Sequence, residues 1–243
     1  MRTRWHEMWG SGRGPVTRLA PQSRILVGAA VFAACLTAPA RSPAGAGLIG
    51  ATVLGWIAAC GMPGRAARSF LFLGLATFLP YFLLIPLPAS VRAAVPFDIL
   101  VHGLAGTLVA AASITALSLS DFRSGLLALP LPWAVTAVVV QIVHQTGELV
   151  SETGRIMGAL AVRGGSGGGK ALRRALSSLP RVWLPRVVGR AERVAAAMEL
   201  RGYAEADLRI FGGRPLRAAD LAALAGGLVL LGVAVALRWR FIG

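Results

Sequence analysis

Residues 44–62, AGAGLIGATVLGWIAACGM, hold no charged side chain and are built almost wholly of small and apolar residues. A stretch of that length and character covers the ~20 residues that a helix needs to cross a hydrocarbon layer of ~30 Å. Comparable runs lie on either side of it in the sequence. A shorter one, Ile25–Ala38, precedes it, and further runs follow at about 69–87, 99–119 and 216–237. Glycine and alanine recur along them, as at Gly103, Gly106 and Ala110–Ala112. In lipid, where no hydrophobic force drives helices together, small residues let backbones approach and gain packing.

The bulk composition agrees. The chain is 56% hydrophobic and only 14% charged, against roughly 25% charged in an average soluble domain. The net charge of +15 comes from arginines that sit between and beyond the apolar runs. That pattern suits lipid headgroups and cytoplasmic loops and does not form the single basic stripe of a nucleic-acid binder. Cys35 and Cys60 lie inside apolar runs with no CxxC spacing and read as small packing residues.

The basic arm holding Arg2, Arg4, Arg13, Arg18 and Arg24, followed by a short apolar core and Ala38-Pro39-Ala40, imitates a secretory signal. The spans that follow favour an uncleaved anchor, with Arg24 and Arg41 snorkelling at its two ends. The arm, the Arg65/Arg68 loop and the arginines after Leu119 fall on one side, which the positive-inside rule makes cytoplasmic. Arg238-Trp239-Arg240, after the last span, falls on the other side against that rule. The expected fold is an all-α membrane protein with about five transmembrane helices and a cytoplasmic helical domain inserted before the last span. Its parts are a basic cytoplasmic N-terminal arm (1–23), a four-helix transmembrane region (24–120), the cytoplasmic helical domain (121–215), and a C-terminal transmembrane helix with a short tail (216–243).

The inserted segment carries the most information. After Pro130 and Pro132, a helical pattern runs from Trp133 to Arg163. Its second half is amphipathic, with Gln141, His144, Glu148, Glu152 and Arg155 on one side and Ile142, Leu149 and Ile156 on the other. Gly164–Gly169 ends it. Pro180 and Pro185 predict a break, and a second amphipathic helix follows from Arg186 to Arg201, with Arg186, Arg190, Arg193 and Arg201 on one face. The two helices end alike: Ala161-Val162-Arg163-Gly164 and Glu199-Leu200-Arg201-Gly202. An arginine on a last turn meets the partial negative end of the helix. The plain reading is capping. Its repetition in one cytoplasmic segment points to a pair of guanidinium-tipped rods suited to docking in a partner's groove.

Residues 190–203, RAERVAAAMELRGY, resemble the signature of the transmembrane T component of energy-coupling factor transporters, the EcfT/CbiQ family. The segment Glu148–Gly164 is similar to the first of that family's two coupling motifs, and Leu19-Ala-Pro-Gln-Ser-Arg24 to the start of its first span. Val162 and Leu200 stand where the family usually has alanine. The resemblance implies a non-catalytic coupling subunit of an ATP-driven importer of cobalt, nickel or vitamins. Ala161 to Gly164 and Glu199 to Gly202 would dock on two ABC-type ATPase subunits, with Arg190 and Arg193 as the supporting face. ATP and magnesium would sit on those partners, with no cofactor or metal on this chain. A separate membrane-embedded S component would choose the cargo, all in the cell membrane and without nucleic acid.

Gly164–Lys170 imitates a phosphate-binding loop, but Ala171 replaces the magnesium-binding Ser/Thr and a helix precedes it where a strand is required. Asp98 and His102 share a helix face, and Asp98 after Pro96-Phe97 reads as an N-cap, with a metal pathway through His102 as the other reading. A stand-alone secondary transporter is the main rival function. It would need buried mid-span acids and paired broken helices. An integral membrane enzyme would need a catalytic constellation beside the spans, and none is evident.

Overall fold

A computed structural model describes residues 9–81, 94–160, 168–200 and 215–242. Among these the chain is helical, with no strand: α1 Pro21–Thr37, α2 Pro43–Cys60, α3 Gly64–Phe78, α4 Ala94–Ala116, α5 Leu119–Leu127, α6 Trp133–Leu160, α7 Gly168–Leu200 and α8 Ala218–Ile242. It divides into two compact units. One, Glu7–Pro130 with Phe211–Gly243, holds α1–α5 and α8. The other, within 131–210, holds α6 and α7.

In the first unit α1 is the hub, packed against α8, α4, α5 and α2. Its buried residues Val27, Val31, Ala34 and Cys35 recur at helical spacing and meet Val53 and Trp56 of α2 and Ala105, Val109 and Ala112 of α4 in one core. Small residues set the spacing of α3 against α4. A Cβ added at Gly103 would come within 2.7 Å of the Phe78 ring, and one at Gly74 within 2.8 Å of Leu104. Between α2 and α4, Trp56 Nε1 donates to Ser113 Oγ at 3.0 Å, which satisfies an indole N–H in apolar surroundings.

Three helices of this unit are long and apolar enough to cross a membrane: Pro43–Cys60, 95–116 and 218–241. The chain thus has the make-up of a membrane protein. The first expected span forms a shorter apolar helix, α1, of 17 residues. The third, expected at 69–87, is described only to Tyr81 and is helical over Gly64–Phe78.

Three expectations need correction. Asp98 is not an N-cap, because α4 already begins at Ala94 and Asp98 lies within it. Pro96 falls in the first turn, where a missing N–H costs nothing. Arg24 does not snorkel: it is 8% exposed and turns inward, because backbone carbonyls there offer its guanidinium acceptors. Pro180 and Pro185 do not break the chain, since α7 runs unbroken from Gly168 to Leu200. A proline withholds only its own N–H, and turns of helix on both sides can carry that loss.

The N-terminal arm is not a free tail from Trp9 onward. Gly12 N–H donates to the Thr115 carbonyl at 2.8 Å and Gly14 N–H to the Cys60 carbonyl at 3.2 Å. The arm thereby caps the open C-terminal carbonyls of α4 and α2. Such closeness requires glycine, because a Cβ on Gly14 would stand 2.0 Å from the Ala59 carbonyl oxygen. Gly61, at φ 64°, turns the chain out of α2.

Candidate functional site

Ala161, Val162, Arg163, Gly164, Arg201 and Gly202 lie outside the described residues, as do the first four residues of the phosphate-loop mimic. The helices that lead to them are described. α6 ends at Leu160 and α7 at Leu200, the residue before Arg201. Glu199 and Leu200 are helical residues of α7, and Leu200 is 90% exposed.

Within this unit α6 and α7 pack on one another. The carboxylate of Glu152 on α6 accepts from Arg186 of α7 at 2.9 Å and pairs with Arg155 on its own helix at 3.1 Å. Trp183, Val187, Arg190 and Val194 are half-buried at helical spacing, whereas Arg193 is exposed. Of the two expected supporting arginines, Arg190 therefore sits toward the packed face and Arg193 away from it. α7 carries Arg173, Arg174, Arg181, Arg186, Arg190 and Arg193 with Lys170 against only Glu192 and Glu199. Exposed apolar residues are interleaved with that charge: Leu184 and Val188 on α7, Val135, Val138 and Ile142 on α6. A cationic surface with apolar anchors is chemically suited to an acidic protein groove.

Two further clusters lie in the first unit; the first rests on Asp121 and Asp220, acids that residue spacing did not single out, and the second on Asp98. The first gathers where α1, α5 and α8 begin. Arg24 Nε donates to the Leu19 carbonyl at 2.8 Å, and Nη1 donates to the Ala116 carbonyl at 3.2 Å and to Asp121 Oδ2 at 3.1 Å. Nη2 donates to the Thr17 carbonyl. Asp220, 2% exposed, accepts from Ala20 N–H at 2.7 Å and Arg217 N–H at 2.8 Å. Four stretches of chain are thus tied at one point: the arm, α1, the α4–α5 corner and the start of α8. α5 is the last helix before the chain passes to the second unit, and α8 the first after its return.

The second cluster lies at the far end of α1. His102 Nδ1 is 2.7 Å from the Asp98 carbonyl oxygen, and Nε2 is 2.9 Å from that of Ala38. The ring therefore bridges α4 to the end of α1. Arg41 pairs with Asp98 Oδ2. Asp98 and His102 do share a site, as their spacing suggested, and the structure adds Arg41 and Arg238 to it. Among the described residues no three His, Cys, Asp or Glu side chains converge in a metal-binding group.

The signal for both clusters was present but weak. The chain has ten acids, and in a basic, apolar sequence each buried one needs a partner. No protein-family model matches this sequence, and no curated protein matches it.

Proposed function

We propose that this chain is the transmembrane coupling subunit of an ATP-driven importer of the energy-coupling factor type. In this reading five crossings anchor it in the cell membrane, with the N-terminus and the α6–α7 unit in the cytoplasm. Arg163 and Arg201 dock on two ABC-type ATPase subunits, and the chain itself hydrolyses nothing. Closure of the ATPases on ATP moves the α6–α7 pair, and that motion reaches a substrate-binding S component held against the spans. Such coupling requires an element with two states and different contacts in each. In this reading the contacts of Arg24 and Asp220, where α1, α5 and α8 begin, keep the membrane bundle firm while the α6–α7 pair moves.

The observation that carries the proposal is the α6–α7 unit. Two long helices packed together run to within one and three residues of Arg201-Gly202 and Arg163-Gly164, and exposed apolar residues lie among their arginines. The likeness of residues 190–203 to the family signature supports it.

Reversing both tips, Arg163→Glu with Arg201→Glu, tests it. Affinity purification from the native membrane is expected to lose co-purifying ATPase at least tenfold, with the amount of inserted chain unchanged. Full retention of the ATPase in the double variant rejects the docking role. Uptake by liposomes holding this chain alone, driven by an ion gradient, would establish the secondary-transporter reading instead.

A further inference from the structure

We infer that the cleft where α1 ends, α4 begins and α8 ends binds the phosphate oxyanion of an anionic lipid headgroup. The cleft holds about 290 Å³ and is lined by Thr37, Arg41, Asp98, His102, Arg238 and Phe241, among others. That is near the small end of ligand pockets, which run from roughly 300 to 1,000 Å³, and suits a headgroup better than a whole lipid.

The donors in the cleft can be assigned one by one. His102 is committed, since both ring nitrogens face backbone carbonyls. Asp98 is committed through Oδ2, which accepts from Arg41, whereas Oδ1 is buried with no hydrogen-bond partner among the described residues. The carboxylate fixes the Arg41 fork at the cleft wall, and its single charge is set against the two guanidinium groups there. Arg41 is 44% exposed and a guanidinium has five N–H donors, so most of them stay open. Arg238 makes no hydrogen bond or ion pair among the described residues, and its side chain is exposed. Two guanidinium groups with spare donors, against one carboxylate already engaged, favour an anion that accepts several hydrogen bonds at once. Phosphate has that geometry.

The rim selects a lipid over a soluble phosphate. Leu36 and Phe241 line the cleft and are 42% and 54% exposed, and Trp239 beside them is 76% exposed. Phe32, one helical turn before Leu36 on α1, is exposed as well. Cationic groups beside an aromatic and aliphatic rim form the layered arrangement of a membrane interface, phosphate level next to acyl level. The assignment also gives a role to Arg238, whose position runs against the orientation that the other arginines predict. It is independent of the coupling proposal.

The purified full chain, stripped of lipid in detergent and re-fed with phosphatidylglycerol or phosphatidylcholine, is read by native mass spectrometry. The wild type is expected to retain one phosphatidylglycerol and little phosphatidylcholine. Arg238→Gln is expected to lower that retention at least fivefold. Arg238→Lys, which keeps the charge but not the fork, is expected to fall between, and Arg65→Gln on α3 to match wild type. Equal retention of phosphatidylglycerol by Arg238→Gln and wild type overturns the site, as does equal retention of both lipids by wild type. Inorganic phosphate at millimolar concentration separates the sources: phosphate binding without phosphatidylglycerol retention overturns the lipid assignment.

Discussion

The helical bundle and the α6–α7 pair expose apolar side chains alike, yet the two exposures have different meanings. In the bundle, Leu54, Phe72, Leu228 and Val229 point outward from helices that are apolar along most of their length. Hydrocarbon covers such a surface at no cost, so it calls for no protein partner. In the α6–α7 unit, exposed Leu184 and Val188 alternate along one helix with Arg181, Arg186, Arg190 and Arg193. Lipid tails do not suit that mixture and water does not suit its apolar half, whereas a protein groove with acidic walls suits both.

Polar groups divide the two regions in the same way. Each described acid of the bundle is engaged across elements: Asp121 with Arg24, Asp220 with the Ala20 N–H, and Asp98 with Arg41. The links that join α6 to α7 include a pair whose Arg186 side chain is 60% exposed. A buried polar group must be satisfied or it costs free energy, while a solvated pair contributes little. The described polar groups of the bundle are accordingly tied by contacts that are costly to lose, and the described ion pairs of the helix pair by contacts that cost little to break.

Cys35 and Cys60, both free and at most 1% exposed, give a readout of that difference, because a thiol reagent reaches them only when the bundle opens. Arg24→Met should have the largest effect. It removes donors from three carbonyls at a buried position, which costs about 3 kcal/mol. Labelling should accelerate about a hundredfold, at tenfold per 1.4 kcal/mol. An unchanged rate would show that Arg24 ties nothing together.

Asp220→Ala comes next. It leaves the Ala20 and Arg217 N–H groups without their carboxylate, at about 2 kcal/mol, and should raise labelling by roughly thirtyfold. Asp220→Asn, which keeps one acceptor oxygen, should recover part of that loss. The smallest effect belongs to Glu152→Gln. Its pairs with Arg155 and Arg186 are largely solvated and contribute about 0.5 kcal/mol or less, so thiol labelling and the thermal midpoint should stay at wild-type values. A loss as large as that of Arg24→Met would erase the distinction between the two regions.

The helices were largely legible because their evidence is local. The uncharged stretch 44–62 became α2 at Pro43–Cys60, and the run expected at 216–237 became α8 at Ala218–Ile242. The helical pattern from Trp133 became α6, and the second expected helix lies within α7, described to Leu200. Local evidence also misled. Two prolines five residues apart predicted a break that α7 does not make, and Pro96-Phe97 predicted a cap at Asp98 that lies inside α4. In each case a preference worth a few kcal/mol was overridden by the helix on either side.

The sequence alone determined which segments are too apolar for water, which carry the positive charge, and that two helices approach an Arg-Gly pair. Those are properties of neighbours along the chain, and helical periodicity reports them directly. Only the tertiary structure decided that Arg24 turns inward, that Asp220 meets the backbone of Ala20, and that Arg41 and Arg238 share a cleft with Asp98. Periodicity says which face of a helix a residue occupies but not what faces it. A polar group buried in an apolar bundle takes its partner from wherever packing brings one within hydrogen-bonding distance.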